Sequence, residues 1–131
     1  MPFDSETWLS DLVASVNDDE RFGTATREFD GSIELAIGDE TAWLKIYRGA
    51  VIDTEPYVPA FGATFRIAGS ADAWRALARG DASLSEQFYT GALRTEGNKL
   101  EANRLREATE LLVRHLQLMT TGTTRPTGVV E

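Results

Sequence analysis

Ile33-Glu34-Leu35-Ala36-Ile37-Gly38-Asp39-Glu40-Thr41-Ala42-Trp43-Leu44-Lys45-Ile46-Tyr47 holds two runs of period-two alternation on either side of a glycine-led turn. In the first run Ile33, Leu35 and Ile37 alternate with Ser32, Glu34 and Ala36; in the second, Ala42, Leu44 and Ile46 alternate with Trp43, Lys45 and Tyr47. That period predicts strands, and Gly38-Asp39 is a pair suited to joining them as a hairpin. Bulk on both faces of the second strand predicts one core face and one partly covered face. Arg48-Gly49 predicts a tight turn into a third strand, Ala50 to Glu55, which Pro56 ends because it lacks the ladder donor.

Downstream, a loop with Pro59 and Phe61 leads to a fourth strand, Ala63 to Ala68, with Phe65 and Ile67 on one face and Thr64 and Arg66 on the other. Ser70 is placed to cap a helix that carries Asp72 in its first turn, turns Trp74 and Leu77 inward and stops at Gly80. A short helical segment with Leu84, Phe88 and Tyr89 follows, then Gly91, a fifth strand from Ala92 to Glu96, and Gly97-Asn98. The last helix is predicted from about Lys99 to Leu118 as one rod. Ala102, Leu105, Ala108, Leu112, Leu116 and Met119 form a continuous stripe joined by Leu100, Leu111 and His115. Upstream, Ser5 is the expected cap of a helix striped by Trp8, Leu9, Leu12, Val13 and Val16, and the run Asn17 to Glu20 offers a second cap before Phe22. The expectation is an α+β domain, 1–119, whose mainly antiparallel five-stranded sheet carries helices on one face, with a flexible tail over 120–131.

Composition limits the chemistry. The 131 residues suit one soluble domain, and no run approaches the ~20 apolar residues of a membrane span. A start without a basic, apolar leader leads us to expect a cytoplasmic protein. The formal charge is −8, from 21 acidic and 13 basic residues, and no Lys/Arg cluster offsets it, so a nucleic-acid partner is not expected. Lys45 and Lys99 are the only lysines, a pattern that also fits a high-salt cytosol. There is no cysteine and one histidine, which leaves only carboxylates for a metal and no thiolate nucleophile.

The sequence lacks Gly-x-Ser-x-Gly, a phosphate-binding Gly-Lys-Ser/Thr loop and Gly-x-Gly-x-x-Gly, so no catalytic residue, metal or cofactor is assigned. His115 is the default acid or base, yet its place at the edge of an apolar stripe favours a partly buried structural role. Asp53 and Glu55 share a strand face and can be read as an acid and base pair or, more simply, as a solvated sheet edge. Arg66 and Arg94 can clamp an anionic head group or pair across strands with Glu34 or Glu96. Trp43, Phe61, Phe65, Trp74, Phe88 and Tyr89 can line a ligand chamber or simply build the core.

Between Ala63 and about Leu105 the chain also resembles the sterol carrier protein 2 family of lipid-binding domains. Phe65 through Gly80, with its Ala68-Gly69-Ser70-Ala71-Asp72 strand-to-helix junction and Trp74, is similar to that family's penultimate strand and capped helix. Phe88-Tyr89-Thr90-Gly91-Ala92-Leu93 resembles its entry to the last strand, and Thr95-Glu96-Gly97-Asn98 followed by Leu100, Ala102 and Leu105 its exit into the final helix. Two features depart from the pattern: Ala92 stands where many relatives carry lysine, and the chain finishes Val129-Val130-Glu131 instead of a peroxisomal Ser-Lys-Leu. The resemblance implies an apolar tunnel between sheet and helices that carries a lipid-like ligand without chemistry. Phe65, Ile67, Trp74, Leu77, Phe88, Leu93, Leu105, Leu112 and Leu116 are the expected inward set. The alternative is a filled core whose exposed Trp43 and Tyr47 face docks an enzyme or a second copy.

Overall fold

A computed structural model describes residue 3 and residues 6–121 of the chain. The elements run α1 (Trp8–Asn17), α2 (Glu20–Ala25), β1 (Asp30–Ile37), β2 (Glu40–Tyr47), β3 (Ala50–Glu55), β4 (Phe65–Gly69), α3 (Ala71–Arg79), α4 (Leu84–Thr90), β5 (Leu93–Gly97), α5 (Lys99–Arg104) and α6 (Arg106–Thr121). The five strands form one sheet in the order β3-β2-β1-β4-β5. All neighbours are antiparallel except β1 and β4, which run parallel because residues 56–64 carry the chain back across the sheet before β4 begins. Arg48 and Gly49 both take positive φ, 45° and 107°, which lets the β2–β3 turn follow the right-handed twist of its strands.

Cross-strand register sorts the two faces. Ile33, Leu35, Leu44, Ile46, Phe65, Ile67 and Leu93 point to the helices and join Leu12, Val16, Phe22, Trp74, Leu77, Leu105, Leu112 and Leu116 in one buried cluster. Trp43, though buried, lies outside that cluster, on the opposite face. Side-chain amides hook the helices together: buried Gln87 Nε2 donates to the Ala73 carbonyl at 2.9 Å and half-buried Gln117 Nε2 to the Leu77 carbonyl at 3.2 Å, tying α4 and α6 to α3. At the free edge of β3, Asn17 donates from Nδ2 to the Val51 carbonyl and accepts at Oδ1 from the Val51 amide, both at 2.9 Å.

The caps follow the sequence closely. Ser70 accepts from the Ala73 amide and Gly80 ends α3 at φ 81°. Ser83 and Glu86 form a reciprocal capping box on α4, so Ser83→Ala is expected to cost about 1 kcal/mol. A midpoint shift in urea denaturation checks it. Asp19 caps α2 by accepting from the Arg21 amide. Ser5, the expected cap of α1, lies outside the described residues; the N-cap position is Thr7, whose side chain makes no capping bond.

The last helix departs from the single rod. It breaks at Leu105 (φ −100°, ψ 20°), giving α5 and α6. The two pieces pack on different partners: α5 on β4 and β5, α6 on α3, α1 and α2. Leu105 drops into the core at the junction while Leu100, expected in the stripe, is 68% exposed and α5 has no buried residue. A heptad-like stripe records which residues are apolar, not the bend that lets one helix satisfy two surfaces. α6 then continues through Thr121, and the residues beyond it lie outside the described part of the chain.

Candidate functional site

The helix side of the sheet is filled near its middle and hollow at its β5 edge. Trp74, Leu77, Leu105, Leu112 and Leu116 are each at most 4% exposed and belong to the packed cluster. They do not line the hollow. The other four residues of the expected inward set do. Phe65 and Ile67 from β4, Leu93 from β5 and Phe88 from α4, with Ala102 of α5, form the floor and wall of an open groove of about 420 Å³. That volume lies in the range of small-molecule pockets.

The groove is amphipathic. Its remaining lining is Gly91, Arg94, Thr95, Lys99, Asn103, Arg106 and Thr109, which includes three cations and no carboxylate. Arg106 is the most firmly placed of the three. Its guanidinium lies over the Phe88 ring with Cζ 5.1 Å from the centroid, and Nη2 donates to Ser85 Oγ at 2.9 Å. Its Nε is buried 3.3 Å from the Glu110 carboxylate without hydrogen-bonding geometry. Lys99 has no ion-pair partner among the described residues. Arg94 pairs with Glu96 at 2.7 Å, and that hydrogen bond, with the fields of Arg66 and Arg94, holds the Glu96 carboxyl below its usual range. Arg66, the second head-group candidate, is turned away: it also pairs with Glu96, at 3.2 Å, and does not reach the groove.

The aromatic set is divided. Phe65 and Phe88 line the groove, Trp74 is core, and Trp43 packs edge-on against Phe61 at 5.4 Å. Tyr89, 92% exposed, points to solvent instead of a chamber. Trp43 is the clearest correction: expected on an exposed docking face, it is 2% exposed because the 56–64 loop folds over it and Gly62 accepts its Nε1–H at 3.2 Å. Tyr47 does remain open, at 46%. Asp53 and Glu55 share a face opposite Lys45 and Trp43, and Asp53 Oδ1 accepts from the Thr54 amide. Neither is paired with a basic residue in an ion pair among the described residues.

His115 is held on both ring nitrogens. Nε2 donates to Asp19 Oδ2 at 2.9 Å, and Nδ1 accepts the Ser15 hydroxyl at 2.5 Å when the ring is neutral. The sequence signal for this arrangement is weak, since Ser15 and Asp19 lie about a hundred positions away from His115. The contact depresses the Asp19 carboxyl to about 2, with the His115 hydrogen bond the largest cause. It bolts α6 to the α1–α2 junction. Among the described residues there is no cluster suited to a metal ion, and no helix is long and apolar enough to cross a membrane.

A second hollow, about 550 Å³, opens at the other end of the molecule around Phe3, Trp8, Leu9, Ile37 and Ala71. Its rim is acidic, with Glu6, Asp39, Glu40 and Glu55 against Arg75 alone. The two hollows thus differ in the sign of charge they offer.

No family model and no curated protein matches the chain. Solved structures do. A crystal structure of sterol carrier protein 2 superposes with a TM-score of 0.75 at 20% identity, covering 86% of this chain and 95% of that one. A conserved hypothetical protein from Thermus thermophilus, described as possibly a sterol carrier protein, gives 0.71 at 20% identity over 86% of each chain. The apo form of sterol carrier protein 2 from Yarrowia lipolytica gives 0.60 at 19% identity, over 88% of this chain and 94% of that one. Strand order, helix placement and these superpositions together give this chain the sterol carrier protein 2 fold.

Proposed function

We propose that the β5-edge groove holds an amphiphile with an apolar chain and an anionic head, and that the protein carries this ligand without changing it. One observation bears the weight: in a chain of net charge −8, the groove lining has three cations and no carboxylate above an apolar floor. Each methylene taken out of water contributes about 0.8 kcal/mol, so chain burial supplies most of the affinity and little specificity. The head group supplies the discrimination. Arg106, preset over Phe88 and braced by Ser85, offers a planar donor fork to a carboxylate or phosphate without a large ordering cost. The carrier role named for the structural neighbours is consistent with this reading.

Titration with dodecanoate and with methyl dodecanoate, followed by calorimetry, tests it. Saturable binding is expected for both, tighter for the acid, and Arg106→Gln is expected to erase about tenfold of the acid's advantage, or about 1.4 kcal/mol. Absence of saturable dodecanoate uptake would overturn the carrier reading, and equal affinity for acid and ester would remove the head-group part.

A further inference from the structure

We propose that the ligand of the β5-edge groove carries an anion at both ends of its apolar chain, as an α,ω-dicarboxylate does, with one end on Arg106 and the other on Lys99. This rests on the carrier reading of the same groove and narrows its ligand class.

The groove cations are not gathered in one place. Arg106 lies against Phe88 of α4, the helix that leads into β5 at Leu93. Lys99 opens α5 just beyond the other end of β5, at Gly97. α5 therefore runs back alongside β5, and two rulers give the spacing. Leu93 to Gly97 spans about 13 Å of strand. The seven residues from Lys99 to Arg106 rise about 10 Å along the helices. Both side chains line the groove, so a cation stands toward each end of it.

The floor between them is apolar, and register gives its order. Phe65 pairs with Gly97, Ile67 with Thr95, and Gly69 with Leu93. Phe65 thus lies toward Lys99 and Leu93 toward Arg106, with Ile67 between them and Ala102 of α5 on the wall. An alkyl chain laid along this row leaves water over its whole length and brings its two ends to the two cations.

Existing ion pairs single out Lys99 as the second anchor. Arg94 is held by Glu96 at 2.7 Å. Glu96 feels the charge of Lys99, but it also holds Arg66 at 3.2 Å and is not part of the groove lining. Glu101, the acid of α5, pairs with Arg104 at 3.5 Å. Lys99 has no ion pair among the described residues. A ligand with a single head would set its terminal methyl beside this ammonium, whereas a second carboxylate gains a partner there. Because Lys99 is exposed, that carboxylate keeps part of its water as it pairs. A tunnel with an apolar far end would reject the same charge.

Dodecanoate and dodecanedioate differ only at the far end of the chain, and calorimetry at neutral pH, where both acids are ionised, compares them. Dodecanedioate is expected to bind no more than about tenfold more weakly than dodecanoate, despite its second charge. Lys99→Gln is expected to weaken dodecanedioate at least about threefold and to leave dodecanoate within about twofold of wild type. Lys99→Arg should keep the wild-type affinity for both. Rejection of dodecanedioate by a protein that takes up dodecanoate would overturn this inference and leave the carrier reading standing. So would a smaller loss in Lys99→Gln, the mark of a second end left in water, or an equal loss for the two acids. No saturable uptake of either acid would remove the carrier reading and this inference with it.

Discussion

Trp74→Ala is expected to lower the unfolding free energy by about 3–5 kcal/mol, a large share of the 5–15 kcal/mol typical of a domain. Trp74 is 2% exposed, sits in the cluster that joins α3 to the sheet, and donates from Nε1 to the Ala36 carbonyl of β1 at 2.9 Å. Truncation removes an aromatic volume that α6 cannot collapse to fill and leaves a buried carbonyl lone pair without its donor. Trp74→Phe separates the two effects, because it keeps most of the ring and loses the hydrogen bond, for a cost of about 1–2 kcal/mol. Urea denaturation followed by far-UV circular dichroism measures both. A loss under about 1 kcal/mol for Trp74→Ala would show that this part of the core is loosely packed.

Asp19→Ala is expected to cost about 2–4 kcal/mol at neutral pH, combining a lost N-cap with a lost charge-assisted hydrogen bond to His115. Both acceptor oxygens are in use: Oδ1 takes the Arg21 amide and Oδ2 takes His115 Nε2, each at 2.9 Å. The Arg21 guanidinium, 63% exposed and 3.4 Å away, adds little in water. The folded-state pKa of Asp19 is lowered from 3.8 to about 2. A depressed carboxyl binds its proton more readily in the unfolded chain, so its stabilisation is complete above the unfolded value and is lost as pH falls from about 4 through 2. The stability gap between wild type and Asp19→Ala should therefore narrow across that interval. Asp19→Asn, which keeps an acceptor for the cap, should lose less than Asp19→Ala at pH 7. A gap that stays constant down to pH 2 would show that the carboxylate's charge contributes nothing.

The strands and caps were legible because each rests on local chemistry. The alternation around Gly38-Asp39 sets the hairpin, and Ser70 and Asp19 cap through bonds that span two or three residues. The groove was legible in part. Phe65, Ile67, Phe88 and Leu93 face it because strand parity and the α4 stripe fix their directions. Leu105, Leu112 and Leu116 share the same apolar character but meet other core residues, and periodicity does not distinguish a side chain that touches a neighbour from one that borders a hollow. Arg106 and Lys99 escaped notice for a related reason. They lie on the polar side of the last helix, and only the bend at Leu105 and the approach of α4 bring them to Phe88 and Leu93. Trp43 was misplaced because its cover comes from the 56–64 loop, whose path depends on a tertiary hydrogen bond to Gly62.

The side-chain amide of Asn17 has a consequence for the protein in a crowded solution. By meeting both the N–H and the C=O of Val51, it imitates one residue of a neighbouring strand and occupies the main-chain groups at that point of the outermost β3. A foreign chain seeking to extend the sheet from that border would have to displace α1 first, so a short polar side chain guards against open-ended polymerisation.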